Sequence, residues 1–330
     1  RWMATWNNYF FLAYISISGT LHPTRVYWST INDPELWNTA DFNEVGFKDG
    51  TDITGLEPMG DRLVVFKEKS IWVVFFTGDA DEPFIFQRSQ SSVGATSGYS
   101  IQQAKNGLIF RAQDGLYFFD GVSSTKTSKR ITTTFGTFEK SRLNVTSSAY
   151  QHEKDRYWSS HTTSGGSTHN RTITYDTEND ALSLYTGHNA NCFAIVRTSG
   201  EERIYFGDYL GFVYRADTGL NDNPSGVATA INGYWYSKWF DFGDLAYRKG
   251  LPHIPIYYKS SSATLTFAYS YELSASDDHS LTFSTTTGGV YRAGLTGRGR
   301  LVRFAIKNNT LSETFEIYGF GLTPYLEAVN

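Results

Sequence analysis

The sequence predicts an all-β protein: a β-propeller of about five to six four-stranded blades, followed by a β-sandwich-like domain. Three observations predict it: a composition suited to strands and turns, a phrase that recurs at blade-sized intervals, and a change of pattern after Ala230. The propeller is expected over residues 1–228 and the second domain over 229–330.

Among 330 residues, 22 Tyr, 24 Phe and 8 Trp accompany 30 Gly and only 2 Met. That balance favours strands and turns over helices. The single cysteine, Cys192, excludes an internal disulfide and leaves a thiolate metal cluster short of ligands. A net charge of -4 and a pI near 6.0 argue against strong nonspecific binding to nucleic acid or an anionic membrane, both of which need clustered positive charge. No stretch approaches the roughly 18 apolar residues of a membrane helix, and the richest run, Ile71–Phe76, is strand-sized. Phe10–Ser18 already reads as a strand, so the N-terminal part of the propeller is expected to lie upstream of Arg1.

The recurring phrase is a short aromatic or aliphatic run behind a marked opener: Arg25 before VYW, Arg62 before LVV, Gly107 before LIF, Arg156 before YWS and Arg203 before IYF. The residues after the openers, Val26, Leu63, Leu108, Tyr157 and Ile204, are spaced by 37, 45, 49 and 47 residues. One four-stranded blade takes about 40 to 50. Within a unit the order is strand, tight turn, apolar strand, second turn, third strand and a more polar fourth. The second unit reads DITGLEP, RLVVF, SIWVVFF and FIFQRS, and the fifth reads CFAIVRT, RIYFGD, GFVYRAD and VATAING. Asn106-Gly107 and Asp114-Gly115 suit type I′ hairpin turns. A small twisted sheet cannot cover its own two apolar faces, so copies stacked in a ring must bury one another. An ordinary β-sandwich with frequent hairpins is the competing reading.

After Ala230 strands continue without the opener. In TLTFAYSYE, Leu265, Phe267, Tyr269 and Tyr271 alternate with smaller or polar residues, which signals one buried and one wetter face. Asp217–Gly226 is the best loop near the boundary.

Chemistry is sparse. The seven His show no HExxH spacing, and His161 and His169 flank TTSGGST, which reads as a solvated loop before it reads as a metal hairpin. The Ser-rich stretch 89–97 lacks a GxSxG elbow. Asp49, Asp52, Asp114, Asp120, Asp176 and Asp217 sit where turns form, although a glycosidase would need two carboxylates across a sugar bond. Calcium at Asp176–Ala181 stays open beside a plain polar loop. The repeated Arg is read as structural, its stem covering a blade edge. No catalytic residue, cofactor or metal ligand is assigned.

RVYWSTINDPELWN (Arg25–Asn38), DGTDITGLEPMGDRLVVFKEKSIWVV (Asp49–Val74) and GLIFRAQDGLYFFDG (Gly107–Gly121) together resemble the tail nozzle, or tail tubular protein B, group of tailed bacteriophages and the packaged-DNA stabilisation proteins of short-tailed phages. The likeness is one of short patterns and their order, good over Arg25 to about Ile131. It implies a non-enzymatic virion tail protein whose identical subunits form a ring, often sixfold, against tail or connector proteins. Double-stranded DNA would be retained and then released through that ring without specific binding. A mildly acidic chain suits such sliding. Trp235, Trp239 and Tyr247 are candidate interface residues, because aromatics are enriched at contact cores. The alternative is a carbohydrate-binding or glycoside-processing propeller.

Overall fold

Turn residues with left-handed backbone set the first and last hairpins of the repeat. Asn7 and Asn8 adopt φ of 51° and 64°, and Ser199 and Gly200 adopt 55° and 85°, the pair of positive values that twisted two-residue hairpins need. These are features of a computed structural model that describes residues 1–223, 226–260, 263–285 and 289–327. The chain divides into two compact units, Arg1–Asp217 and Thr218–Asn330.

The first unit is a propeller of five antiparallel blades, each a meander in chain order. Blade 1 comprises β1 (Trp2–Trp6), β2 (Tyr9–Ile17), β3 (Thr20–Trp28) and β4 (Phe42–Glu44). Blade 2 comprises β5 (Ile53–Met59), β6 (Arg62–Lys67), β7 (Ile71–Phe76) and β8 (Phe84–Arg88). Blade 3 comprises β9 (Gln102–Ala104), β10 (Gly107–Arg111), β11 (Leu116–Phe119) and β12 (Ser124–Lys126). Blade 4 comprises β13 (Ser148–Gln151), β14 (Arg156–His161), β15 (Arg171–Asp176) and β16 (Ala181–Thr186). Blade 5 has three strands, β17 (Cys192–Thr198), β18 (Glu201–Gly207) and β19 (Val213–Arg215).

The first strands of successive blades, β1, β5, β9, β13 and β17, lie against one another and are the innermost. Four apolar cores join the blades in sequence. Phe11 and Trp28 meet Leu63 and Val65; Val64 and Phe66 meet Leu108 and Phe110; Ile109 meets Tyr157 and Ile173; and Trp158 meets Ile204 and Phe206. The alternation Leu63/Val65 against Val64/Phe66 sends one strand's side chains into two different cores, which is why the apolar residues run consecutively.

Three expectations are corrected. VATAING does not complete blade 5: β20 (Asn221–Asp222) pairs instead with β21 (Thr229–Ala230) inside the second unit. Arg62, Gly107 and Arg156 open the second strands of their blades, and Arg203 lies in a second strand, but Arg25 lies inside the third strand of blade 1. An apolar run behind Arg marks a buried middle strand and does not say which one. Neither Asn106-Gly107 nor Asp114-Gly115 adopts positive φ. Register pairs Ala104 with Gly107, so Lys105 and Asn106 form the turn. Gly107 is required for another reason, since a Cβ there would meet the Phe119 carbonyl oxygen at 2.2 Å.

The second unit is a β-sandwich. One sheet has the order β22 (Gly233–Tyr236), β28 (Val302–Asn308), β25 (Ala263–Tyr271) and β26 (His279–Thr285). Its partner has the order β27 (Gly289–Gly294), β24 (His253–Ser260) and β29 (Phe315–Phe320). A short pair, β23 (Arg248–Gly250) with β30 (Tyr325–Glu327), completes the unit. Leu265, Phe267, Tyr269 and Tyr271 are buried in its core, as their alternation predicts. Ala268 and Ser270 on the other face are buried too.

Candidate functional site

The innermost strands of the propeller are where its axial chemistry would sit. Across β1, β5, β9, β13 and β17 the one carboxylate is Glu57, on β5. Register places it opposite Val64, on the side facing blade 3. Burial pushes its pKa up to about 7, because an apolar wall disfavours the charged form. The sequence reading passed over Glu57, which is one acid inside a strand phrase.

Other buried polar groups of this unit serve the blades themselves. Fully buried Lys67 donates to the carbonyls of Val45 (2.9 Å) and Gly46 (3.0 Å) and to Asp49 Oδ1 (2.7 Å). Arg111, also fully buried, donates to the carbonyls of Ala112 and Gly115 and lies 4.7 Å from the Phe135 ring centroid; burial pushes its pKa down to about 10. His161 and His169 are not in a solvated loop: both side chains are buried. His161 stacks on Phe138 and bonds Ser159 Oγ at 2.9 Å, while His169 sits between Thr162 Oγ1 (2.9 Å) and the Val145 carbonyl (3.1 Å). Burial holds both imidazoles below their usual pKa, His161 well below.

The turn aspartates stay within their turns or pair with bases. Asp120 accepts the N–H groups of Val122 and Ser123, and Asp176 accepts those of Glu178 and Asn179. Asp114 pairs with Lys126 at 2.7 Å. Asp217 takes both Lys154 (2.5 Å) and Arg156 (3.2 Å) beside a groove of about 300 Å³ between blades 4 and 5. Among the described residues no group of three His, Cys, Asp or Glu side chains could hold a metal ion, Asp176–Ala181 included. Cys192 is exposed and free on β17.

In the second unit a slot of about 440 Å³ opens between the two sheets of the sandwich. Its two lips are β22 and β29, one from each sheet and each at its sheet's edge among the described residues. An edge strand leaves alternate N–H and C=O groups without a strand partner. Register pairs Trp235 with Ile306, which belongs to the sandwich core, so the indole points inward. It lies 5.6 Å from the Phe320 ring and remains 47% exposed. Phe315 and Ile317 close the far wall, and Tyr234 and Tyr318 stand exposed at the rim. Among the described residues no lining side chain is charged, and at the rim the Tyr318 hydroxyl donates to Glu316 Oε2 at 3.0 Å.

Of the aromatics singled out from sequence, only Trp235 lines this slot. Trp239 holds the Arg303 guanidinium at 4.8 Å, opposite Tyr236 at 4.9 Å. Tyr247 is exposed. Phe315, Ile317 and Phe320 carry no local signal beyond strand alternation. They reach Trp235 only because both edges fall on the same side of the sandwich.

No protein-family model matches the chain, and no curated protein matches it. Among solved structures it is similar to an exo-β-1,3-galactanase from Phanerochaete chrysosporium, at 8% identity and a TM-score of 0.29 over 96% of this chain and 95% of that one. The β-propeller domain of Nup133 from Vanderwaltozyma polyspora gives 11% identity and a TM-score of 0.33 over 86% and 78%. A protein described as a glycoside hydrolase gives 11% and 0.27 over 97% and 96%. At these scores the likeness extends to no site or activity. The expectation of a phage-tail ring that retains DNA is corrected here: the structures found are glycoside hydrolases and a nucleoporin propeller, with no tail protein among those named.

Proposed function

We propose that this chain is a carbohydrate-binding protein without catalytic activity, with the slot of the sandwich unit as its ligand site. The carrying observation is Trp235, half-exposed on the inner side of a slot whose lips, among the described residues, are strands at sheet edges and whose lining side chains are uncharged. A sugar ring is amphipathic: its C–H face stacks on an indole, and its hydroxyls both donate and accept. The slot offers an aromatic wall inside and the backbone of two strands at sheet edges at its mouth.

Absence of catalysis rests on the acids. Glycoside hydrolysis canonically uses two carboxylates roughly 5–9.5 Å apart. The innermost propeller strands offer Glu57 alone, and the slot lining offers none. Affinity electrophoresis through gels containing neutral polysaccharides tests the reading: the chain is retarded, Trp235→Ala migrates as in a blank gel, and no reducing ends accumulate. Unretarded migration in every gel, or steady release of reducing ends, refutes it.

A further inference from the structure

We infer that the junction between blades 3 and 4 carries an acid-released clamp, in which His161 and His169, both neutral, hold the connecting segment Thr132–Thr146 against blade 4. The segment lies between β12 of blade 3 and β13 of blade 4 and is fastened at both histidines. Phe138 stacks on the His161 ring with centroids 4.5 Å apart, and Phe135 meets the same ring edge-on at 5.6 Å. The Glu139 N–H donates to the Thr162 carbonyl, and the Ser164 N–H donates to that of Thr137, each at 2.8 Å. At the far end the Val145 carbonyl lies 3.1 Å from His169 Nε2. A carbonyl only accepts, so Nε2 carries the proton of that ring, and Nδ1 accepts from the Thr162 hydroxyl at 2.9 Å.

Neither ring has a place for a second proton. Both side chains are buried, and the Nδ1 of His161 meets no hydrogen-bonding partner among the described residues. The charged groups that face the pair there are cationic. Arg111 of β10, 4.7 Å from the Phe135 ring, acts on His161, and Arg142 of the segment itself acts on His169. Tyr209 of blade 5 offers His169 a ring at 6.1 Å. The segment's one acid, Glu139, is taken by Ser141 and the Gly165 N–H. A proton added to either ring is thus a buried charge beside another of its own sign, with no carboxylate to meet it. Once the segment lifts, water solvates the imidazoles and they take up protons at the ordinary value of about 6.5. Closed, they do so only at lower pH, so the clamp is intact above about pH 6.5 and is lost as pH falls below it. At about pH 5 each imidazole favours the open form roughly thirtyfold, and the two together up to about a thousandfold. Opening bares Phe135 and Phe138 and frees the link between two blades at the mild acidity where histidine switches act.

Amide hydrogen exchange of the whole chain at about pH 7.5 and about pH 5, each rate divided by the intrinsic rate at that pH, reads the opening. Residues 137–146 and 162–169 should lose at least about tenfold protection at the lower pH, while β6 and β7 keep theirs. His161→Phe keeps the stack on Phe138 and leaves Ser159 Oγ its bond to the Ile173 carbonyl at 3.4 Å. His169→Gln keeps an amide that can donate to Val145 and accept from Thr162. Each single variant should retain only the loss due to one imidazole, about thirtyfold at most, and the double variant none. Exchange at the imidazole C2 position needs no variant: in the native chain both rings should titrate below the ordinary imidazole value. Unchanged protection at the junction, the same acid loss in the variants, a loss shared evenly by all blades, or a ring titrating at about 6.5 would each overturn the clamp.

Discussion

Lys67 and Asp49 form an ion pair of 2.7 Å in which the lysine side chain is wholly buried and the aspartate keeps 35% of its surface in water. The ammonium completes its coordination with the carbonyls of Val45 and Gly46, so the last residue of β6 ties blade 2 to the linker that leaves blade 1. A buried charge held by three acceptors is strongly sensitive to loss of either partner.

Lys67→Met is therefore expected to destabilise the propeller unit by roughly 2–4 kcal/mol, since two buried carbonyls lose their donor. The thermal transition of that unit, followed by calorimetry, reads the change. A shift within about 0.5 kcal/mol of zero would show that the ammonium is dispensable.

The same pair fixes a dependence on acid. Burial tends to raise the Asp49 pKa, but the hydrogen bonds from Lys67 and Thr51 outweigh it and hold it below the usual value. A depressed carboxylate stabilises the fold above its unfolded pKa and loses that contribution as pH falls through the folded one. Unfolding by urea should thus become easier below about pH 4, and Asp49→Asn should show a shallower decline.

Glu57 works with the opposite sign. Its folded pKa of about 7 lies above the ordinary 4.5, so the folded state binds its proton more tightly than the unfolded one. Stability is greatest below about pH 4.5 and falls as pH rises through 7, by up to about 3 kcal/mol. Glu57→Gln should be neutral at pH 4 and stabilising at pH 8.5, measured as the urea midpoint of the propeller unit. An unchanged midpoint at pH 8.5 counts against a buried, unpartnered carboxylate.

Gly94 has no room for a side chain. A Cβ there would lie 1.9 Å from the Lys67 carbonyl oxygen and 2.9 Å from that of Ser70. Backbone cannot yield as a flexible side chain can, so Gly94→Ala should cost roughly 3 kcal/mol or more. Soluble yield and melting temperature report it. Gly136→Ala, where a Cβ meets nothing within 4 Å, should leave both nearly unchanged.

Trp235→Ala tests the slot without threatening the fold. The indole is 47% exposed, so its removal should lower stability of the sandwich unit by no more than about 1–2 kcal/mol. Near-ultraviolet circular dichroism and melting check that the unit stays folded while ligand binding is lost.

What the sequence by itself determined is the meander of blades 2, 3 and 4, nearly strand by strand. Each blade is built from hairpins between neighbours in the chain, so RLVVF beside SIWVVFF already contains the contact it makes. The consecutive apolar residues also implied two buried faces, and the cores between successive blades follow from that. Only the tertiary structure decided which strands end a sheet. Thr229–Ala230 looks like a fourth blade strand but closes a short hairpin with Asn221–Asp222, whose Asn221 side chain is tied to distant Ser312. Edge status likewise made a slot from Trp235 and Phe320, some 85 residues apart. Local patterning records which face of a strand is dry; it does not record which neighbour, or none, will cover its hydrogen-bonding edge.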